Sequence, residues 1–369
     1  MNILHISSPI SWRGGEQQLA YLIEELSKQN ANQFVLCSKG SALETYCIKN
    51  QITYFALCKK SALNPFTAKK IKSICKKFDI DLMHAHDSHA HTAAFLSAFL
   101  FGNKTPLVLS RKVDFPLHSG GLSKLKYNYH TIKKIICVSN KVKEVLDPYI
   151  TDKSVLTTIY DGIDMSRFEN VSRNQKLRNE YGISTSSVLI GNIAAIAPHK
   201  DYYTFVDTVE ILIKQQLDAR YFIIGDGKEK SDIEAYIEKK GLQQQIILTG
   251  FRNDVPSILP ELDVFLMTSK TEGLGSSILD AYACKVPVVA TTAGGIPEIV
   301  INKKTGLLAE IQDPQGLAEN VLSIVNNPEL RDSLVHNATE HLKQFSKEKM
   351  ALETYKVYCE ILKHTDEFN

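Results

Sequence analysis

No stretch of the 369-residue sequence approaches the roughly 20 consecutive apolar residues that cross a bilayer. The first residues lack the basic segment and apolar core of a secretory leader. Cys37, Cys47, Cys58, Cys75, Cys137, Cys284 and Cys359 form no CxxC pair, and their number is odd. Scattered thiols of this kind suit a reducing compartment and exclude a disulfide-stapled fold. Biased composition, short repeats and low-complexity tracts are also missing, which excludes disordered and fibrous classes. What is left is a soluble chain long enough for two domains at roughly 100–200 residues each.

Net charge is small, +2, but unevenly divided. Residues 1–165 hold 21 Lys and Arg against 13 Asp and Glu, and the rest hold 22 against 28. The first part is therefore +8 and the second −6. The excess gathers in two stretches, Lys59 to Lys77 and Lys124 to Lys143. A solvated lysine-rich helix face explains this as well as attraction to an anionic partner does. Aromatic platforms interleaved with the lysines are not evident, which argues against nucleic acid.

Short apolar runs alternate with amphipathic helical runs along the chain. The runs Ile3–Ser7, Phe34–Cys37, Tyr54–Leu57, Ile80–His84, Leu107–Ser110, Ile135–Ser139 and Val155–Tyr160 read as strands. Helices fit between them, as at 88–101 and 140–149. Apolar strands alternating with helices predict an α/β fold with parallel sheets covered on both faces. The polar stretch Asp164–Ser187 breaks the rhythm and reads as a linker. A second set follows, with strands at Val188–Ile193, Tyr221–Ile224, Ile246–Thr249, Val264–Thr268 and Val288–Thr291, and only helices from about 314. The expected domains are 1–165 and 166–345, both doubly wound and Rossmann-like, with a C-terminal helix at 346–369 packing back on the first.

In open parallel sheets ligands bind beyond the carboxyl ends of strands, so motifs there carry most weight. Arg13-Gly14-Gly15-Glu16 follows the first strand, and its glycines let a ligand approach the backbone. Ile224-Gly225-Asp226-Gly227 lacks the third glycine and the acidic partner of a dinucleotide fingerprint. Thr271-Glu272-Gly273-Leu274-Gly275-Ser276-Ser277-Ile278-Leu279-Asp280 leaves a strand and opens a helix, an arrangement that suits a diphosphate. Glu272 is placed to accept hydrogen bonds from a polyhydroxylated ligand. Asp280 sits one turn into the helix, where it could meet a ribose, although Ser277-x-x-Asp280 also fits a capping box. Lys200, in Pro198-His199-Lys200-Asp201, can neutralise a phosphate. Four histidines stand between His84 and His91, yet no later His/Asp cluster completes a hydrolytic metal centre, so no metal is expected.

Taken together these motifs resemble the retaining family 4 glycosyltransferases of GT-B architecture. The blocks are Ile190-Gly191-Asn192 through Lys200, Ile224 to Gly227, and Thr249-Gly250-Phe251 to Gly294-Gly295-Ile296-Pro297-Glu298. Upstream, Gly14-Gly15 and Tyr160-Asp161-Gly162-Ile163-Asp164 fit as well. The resemblance implies two domains facing across a cleft, a UDP- or GDP-sugar held by the second, and a glycan or lipid-linked acceptor held by the first. It implies cell-envelope polysaccharide or lipopolysaccharide synthesis, with no cofactor beyond the donor substrate. Glu272 would be the catalytic acid touching the sugar. Gly14, Gly15, Lys200, Gly225, Gly273, Leu274, Gly275, Ser276 and Asp280 would bind the donor. Arg13, His86 and His118 fall on the acceptor side.

Three departures stand out. Asp280 replaces the family's second glutamate, Ala195 stands where an arginine is usual, and no histidine follows Leu107-Val108-Leu109-Ser110-Arg111-Lys112. Arg111, Lys112, Phe251 and Arg252 are candidates to supply the missing diphosphate or base contacts. The expected enzyme works in the cytoplasm, peripheral at an anionic inner membrane face. Two other readings stay open: a nucleotide-sugar epimerase of the same fold, and a metal-dependent hydrolase built on His84, His86 and His89. A catalytically silent sugar-nucleotide binder is a third.

Overall fold

A computed structural model of the chain describes residues 1–57, 64–117, 121–169 and 171–366. Lys59, Lys60 and His118 lie outside the described residues. The chain divides into two compact units, one of Met1–Gly162 with Lys347–Asn369 and one of Ile163–Ser346.

In the first unit seven parallel strands run as β1 (Asn2–Ile6), β2 (Asn32–Ser38), β3 (Thr53–Leu57), β4 (Leu82–Ala85), β5 (Leu107–Arg111), β6 (Ile132–Cys137) and β7 (Leu156–Thr158). Their order across the sheet is β3-β2-β1-β4-β5-β6-β7. Apolar side chains on both faces of the central strands call for helices above and below. The helix Gly14–Leu26 answers on one face, with Leu19, Leu22, Ile23 and Leu26 buried at helical spacing. The helix Ser88–Phe101 begins where Asp87 accepts from the amides of His89 and Ala90, and ends at the left-handed Gly102. The single helix expected at 140–149 is split, α-helical at Asn140–Leu146 and 3-10 at Asp147–Tyr149, because Pro148 has no N–H to continue the ladder.

The C-terminal helix Lys347–Asp366 belongs to this first unit. Met350, Ala351, Tyr358 and Ile361 share one core with Ile3, Tyr21, Leu22, Leu82 and Val108. Lys347, almost fully buried, pairs with Glu24 at 2.8 Å.

The second unit holds β8 (Val188–Ile193), β9 (Ala219–Ile224), β10 (Ile246–Gly250), β11 (Val264–Met267), β12 (Val288–Thr291) and β13 (Leu307–Ala309), ordered β10-β9-β8-β11-β12-β13 and all parallel. The stretch 164–187 is not a free linker. It carries the helix Lys176–Tyr181, and Leu177 is fully buried with its amide donating to both oxygens of Glu261 at 3.1 Å. Its polar composition hides that anchor.

Candidate functional site

β8 and β11 lie side by side, with Val264 opposite Ile190 and Phe265 opposite Gly191. The chain leaves β8 toward β9 on one side and β11 toward β12 on the other. Loops that diverge from two neighbouring carboxyl ends open a crevice, where ligands of doubly wound sheets bind. The loop after β8 carries Lys200, and the loop after β11 carries Glu272.

The structure brings those two side chains together. Lys200 Nζ is ion-paired with Glu272 Oε1, and both side chains are largely buried. Ser269 Oγ donates to the same carboxylate at 3.3 Å, and Glu272 O accepts from the Gly295 amide at 2.9 Å. Thr268 Oγ1 donates to the carbonyls of Lys200 and Asp201 at 3.2 and 3.0 Å, and the Lys270 amide donates to His199 O at 2.8 Å. Asp201 is buried in a left-handed conformation, accepting from Thr204 Oγ1 and pairing with Lys270 at 3.2 Å. Below them Asn192 Nδ2 donates to Leu266 O at 2.7 Å while Tyr202 OH donates to Asn192 Oδ1. These cross-links fix the spacing of the two loops, so that the acid and the lysine are preorganised rather than free. The sequence placed Asn192 in a family block without a role and did not single out Thr268, Ser269 or Lys270.

Gly225 and Gly227 serve this arrangement from behind. A Cβ on Gly225 would stand 2.0 Å from Ala194 O, and one on Gly227 would stand 2.0 Å from Ile196 O. The turn after β9 therefore buttresses the loop that leads to Lys200, with Ala194 N donating to Ile224 O and Ile196 N to Asp226 O. Gly275 adopts φ +89, a region costly for any side chain. Gly273 and Leu274 are buried beside it. The helix that follows, Ser277–Ala283, spans only two turns, so positive potential here comes chiefly from Lys200 and the loop amides.

Asp280 lies in the first turn of that helix. The capping-box reading does not hold: Ser277 is already helical, and the residue before it makes no side-chain cap bond. Burial pushes the Asp280 carboxyl up to about 6, against the pull of Arg167. A carboxyl raised above its ordinary 3.8 favours the folded state in its protonated form. That contribution is complete below the unfolded value and is lost as pH rises through about 6. Asp280→Asn should therefore melt above wild type at pH 7.5, with the difference closing below about pH 4. Melting curves of both proteins across that range check the sign.

Arg252 is committed elsewhere, gripped by Asp254 through two bonds of 2.8 Å and by Glu180 at 2.6 Å. Neighbouring Phe251 is exposed. In the first unit Arg111 donates to Tyr127 OH and Phe115 O, and Lys112 pairs with Asp161. Gly14 opens its helix, a Cβ on Gly15 would meet open space, and exposed Arg13 donates from Nε to Ser11 Oγ.

The histidine set also differs from expectation. Among the described residues the group able to offer three metal ligands is His5, His84 and His86, with ring nitrogens within 4.8 Å. His89 instead stays exposed on the first turn of Ser88–Phe101. Strand register explains the exchange, since His5 of β1 pairs directly with His84 of β4. All three rings are buried, which holds His84 and His86 well below the usual imidazole range and His5 at about 4.

Comparison with known proteins agrees with this geometry. The family model "Glycosyltransferase Family 4" matches residues 12–167, and "Glycosyl transferases group 1" matches residues 173–341. An uncharacterised glycosyltransferase of Methanocaldococcus jannaschii is 31% identical over 306 residues, covering 79% of this chain and 78% of its own. The UDP-Gal:alpha-D-GlcNAc-diphosphoundecaprenol alpha-1,3-galactosyltransferase of Escherichia coli is 25% identical over 76% of each chain. Anabaena HepE, solved in complex with UDP and glucose, superposes with a TM-score of 0.84 over 98% of this chain and 100% of its own, at 21% identity. With two parallel sheets in the GT-B pattern and matches across both units, the chain belongs to glycosyltransferase family 4.

Proposed function

We propose that the enzyme transfers a sugar from a UDP- or GDP-sugar to a glycan or lipid-linked acceptor in cell-envelope polysaccharide or lipopolysaccharide synthesis, with retention and without a divalent metal. The observation that carries this reading is the Lys200–Glu272 pair at the β8–β11 crevice. A nucleotide sugar brings both a diphosphate and a hydroxylated ring. Its diphosphate replaces Glu272 as the partner of Lys200, and the released carboxylate accepts hydrogen bonds from sugar hydroxyls. As the bond from the anomeric carbon to the diphosphate breaks, charge grows on the leaving oxygen, where Lys200 and the loop amides stabilise it. The acceptor oxygen forms the new bond, and the diphosphate takes its proton. A glycosidase would need two carboxylates flanking the bond. Glu272 has a lysine opposite it instead. The 25% identical Escherichia coli relative, which by its name uses UDP-galactose and a diphosphoundecaprenol-linked sugar, supports the donor and acceptor classes.

A screen of nucleotide sugars by thermal stabilisation tests the donor assignment, because a ligand that binds the folded state raises its melting point. A shift with UDP- or GDP-sugars and none with NAD is expected. Conversion of the donor to its epimer, with no nucleoside diphosphate released, would instead establish the epimerase reading.

No helix among the described residues is long and apolar enough to cross a membrane. Contact with an anionic surface has support in the helix Gly121–Tyr127, which exposes Leu122 and Leu125 beside Lys124. Binding to phosphatidylglycerol vesicles should weaken steeply as salt rises. Leu122→Ser with Leu125→Ser should reduce it further, whereas retention indifferent to salt and to both substitutions would retire the membrane reading.

A further inference from the structure

Two buried histidines of the first unit, His5 and His86, have tautomers that their neighbours dictate. Gln33 Nε2 donates to Ile23 O at 2.9 Å, which fixes the amide and turns Oε1 toward His5 Nε2 at 3.2 Å. An amide oxygen only accepts, so His5 Nε2 carries the ring proton. A neutral imidazole has one such proton, which leaves His5 Nδ1 as a lone pair. That lone pair stands 3.1 Å from His86 Nε2. His86 Nε2 must then be the donor, and His86 Nδ1 is left bare.

No hydrogen bond from the described residues reaches that nitrogen. His86 lies just past the carboxyl end of β4 and is the most exposed of the three histidines, at 9% against 0% for His5 and 1% for His84. It lines a cavity of about 30 Å³ with Ser110, Lys112 and Asp161. The other polar side chains there have partners: Lys112 with Asp161, Ser110 Oγ with His84 Nε2 at 2.8 Å, Gln18 with both backbone groups of Gly162, and Thr354 Oγ1 with Met350 O at 2.8 Å. A bare ring nitrogen accepts from a hydroxyl and has nothing to offer an unprotonated phosphate.

We infer that His86 receives a hydroxyl of the incoming acceptor on Nδ1, and that Gln33 and His5 act as positioning residues that hold it in this tautomer. The acceptor assignment rests on the transferase reading above, whereas the tautomer does not. Both can be tested separately. In protein labelled with ¹⁵N-histidine, long-range ¹H–¹⁵N spectra at pH 7.5 should show His5 and His86 both protonated at Nε2. Octyl glycosides of galactose and N-acetylglucosamine should then shift the His86 Nδ1 resonance. His86→Gln can still donate to His5 but moves the acceptor from ring nitrogen Nδ1 to an amide oxygen at a different position, and should raise the KM for these glycosides at least tenfold while donor-induced thermal stabilisation stays unchanged. Gln33→Met, which reaches His86 through His5, should raise the same KM and change the His5 tautomer.

A proton on His86 Nδ1, or stoichiometric Zn²⁺ uptake that shifts all three histidines, overturns the relay. An unchanged KM in His86→Gln, or an Nδ1 resonance that no octyl glycoside moves, overturns the acceptor role. If no nucleotide sugar binds at all, the transferase reading falls and the acceptor role with it, while the spectra still decide the tautomer.

Discussion

Glu272→Gln is expected to lower the rate of sugar transfer by at least 10²–10³-fold, the scale on which one preorganised electrostatic contact acts. The change keeps the shape of the side chain and its bond from Ser269 Oγ, so the protein should still fold. It removes the charge that now neutralises Lys200. Lys200 is then free for a diphosphate before any donor arrives, so donor affinity should hold or rise while transfer is lost. That opposition distinguishes a group acting on the sugar from one that merely supports the loop. Lys200→Met should show the reverse, with donor-induced stabilisation falling first. Transfer rate and thermal shift with UDP-glucose and GDP-mannose, measured for both variants, check the pair. A Glu272→Gln protein with wild-type turnover would remove Glu272 from the mechanism.

The second large effect is expected from the backbone contact behind the loop that leads to Lys200. Gly225→Ala places a methyl 2.0 Å from Ala194 O, at a backbone φ of +150. Relief requires the loop after β8 to move, which breaks the Ala194 N bond to Ile224 O and the Gly225 N bond to Gly250 O. Strain on a buried backbone of this kind belongs among the costs above about 4 kcal/mol. Lys200 stands at the end of that loop, so what remains folded should bind donor poorly. Gly15→Ala is the control. Its Cβ meets nothing within 4 Å, and alanine suits a helix better by about 1 kcal/mol, so stability should hold or rise. Any loss of activity in Gly15→Ala then reports a ligand that needs the space. Equal melting points for Gly225→Ala and wild type would contradict the buttress.

Much of the fold was legible because its signals are local. The strands Val188–Ile193 and Val288–Thr291 and the helix Ser88–Phe101 match their expected limits, since apolar runs and cap residues mark them. β13 was missed, its three residues being too short for a pattern to show. The stretch 164–187 was misread because two buried apolar side chains, Phe168 and Leu177, nine residues apart in a polar run leave no periodicity. At the site, Lys200 and Glu272 could each be proposed from their place after a strand. Their direct pairing could not, because it depends on β8 lying beside β11 across 72 residues of sequence. His5 escaped notice for the same reason, as only strand register brings it to His84.

The return of the chain to its first unit also has a consequence in time. The phenol of Tyr358 bonds His84 across 274 residues, inside a core that Ile3 and Leu82 share. At about 5–20 residues per second, a ribosome needs roughly 10–40 s between completing Gly162 and delivering Tyr358. During that interval the second unit can finish folding while the first waits with part of its apolar surface uncovered. The half of the enzyme made first is thus completed last, and a chain stopped short of Lys347 should be a client for chaperones rather than a smaller enzyme.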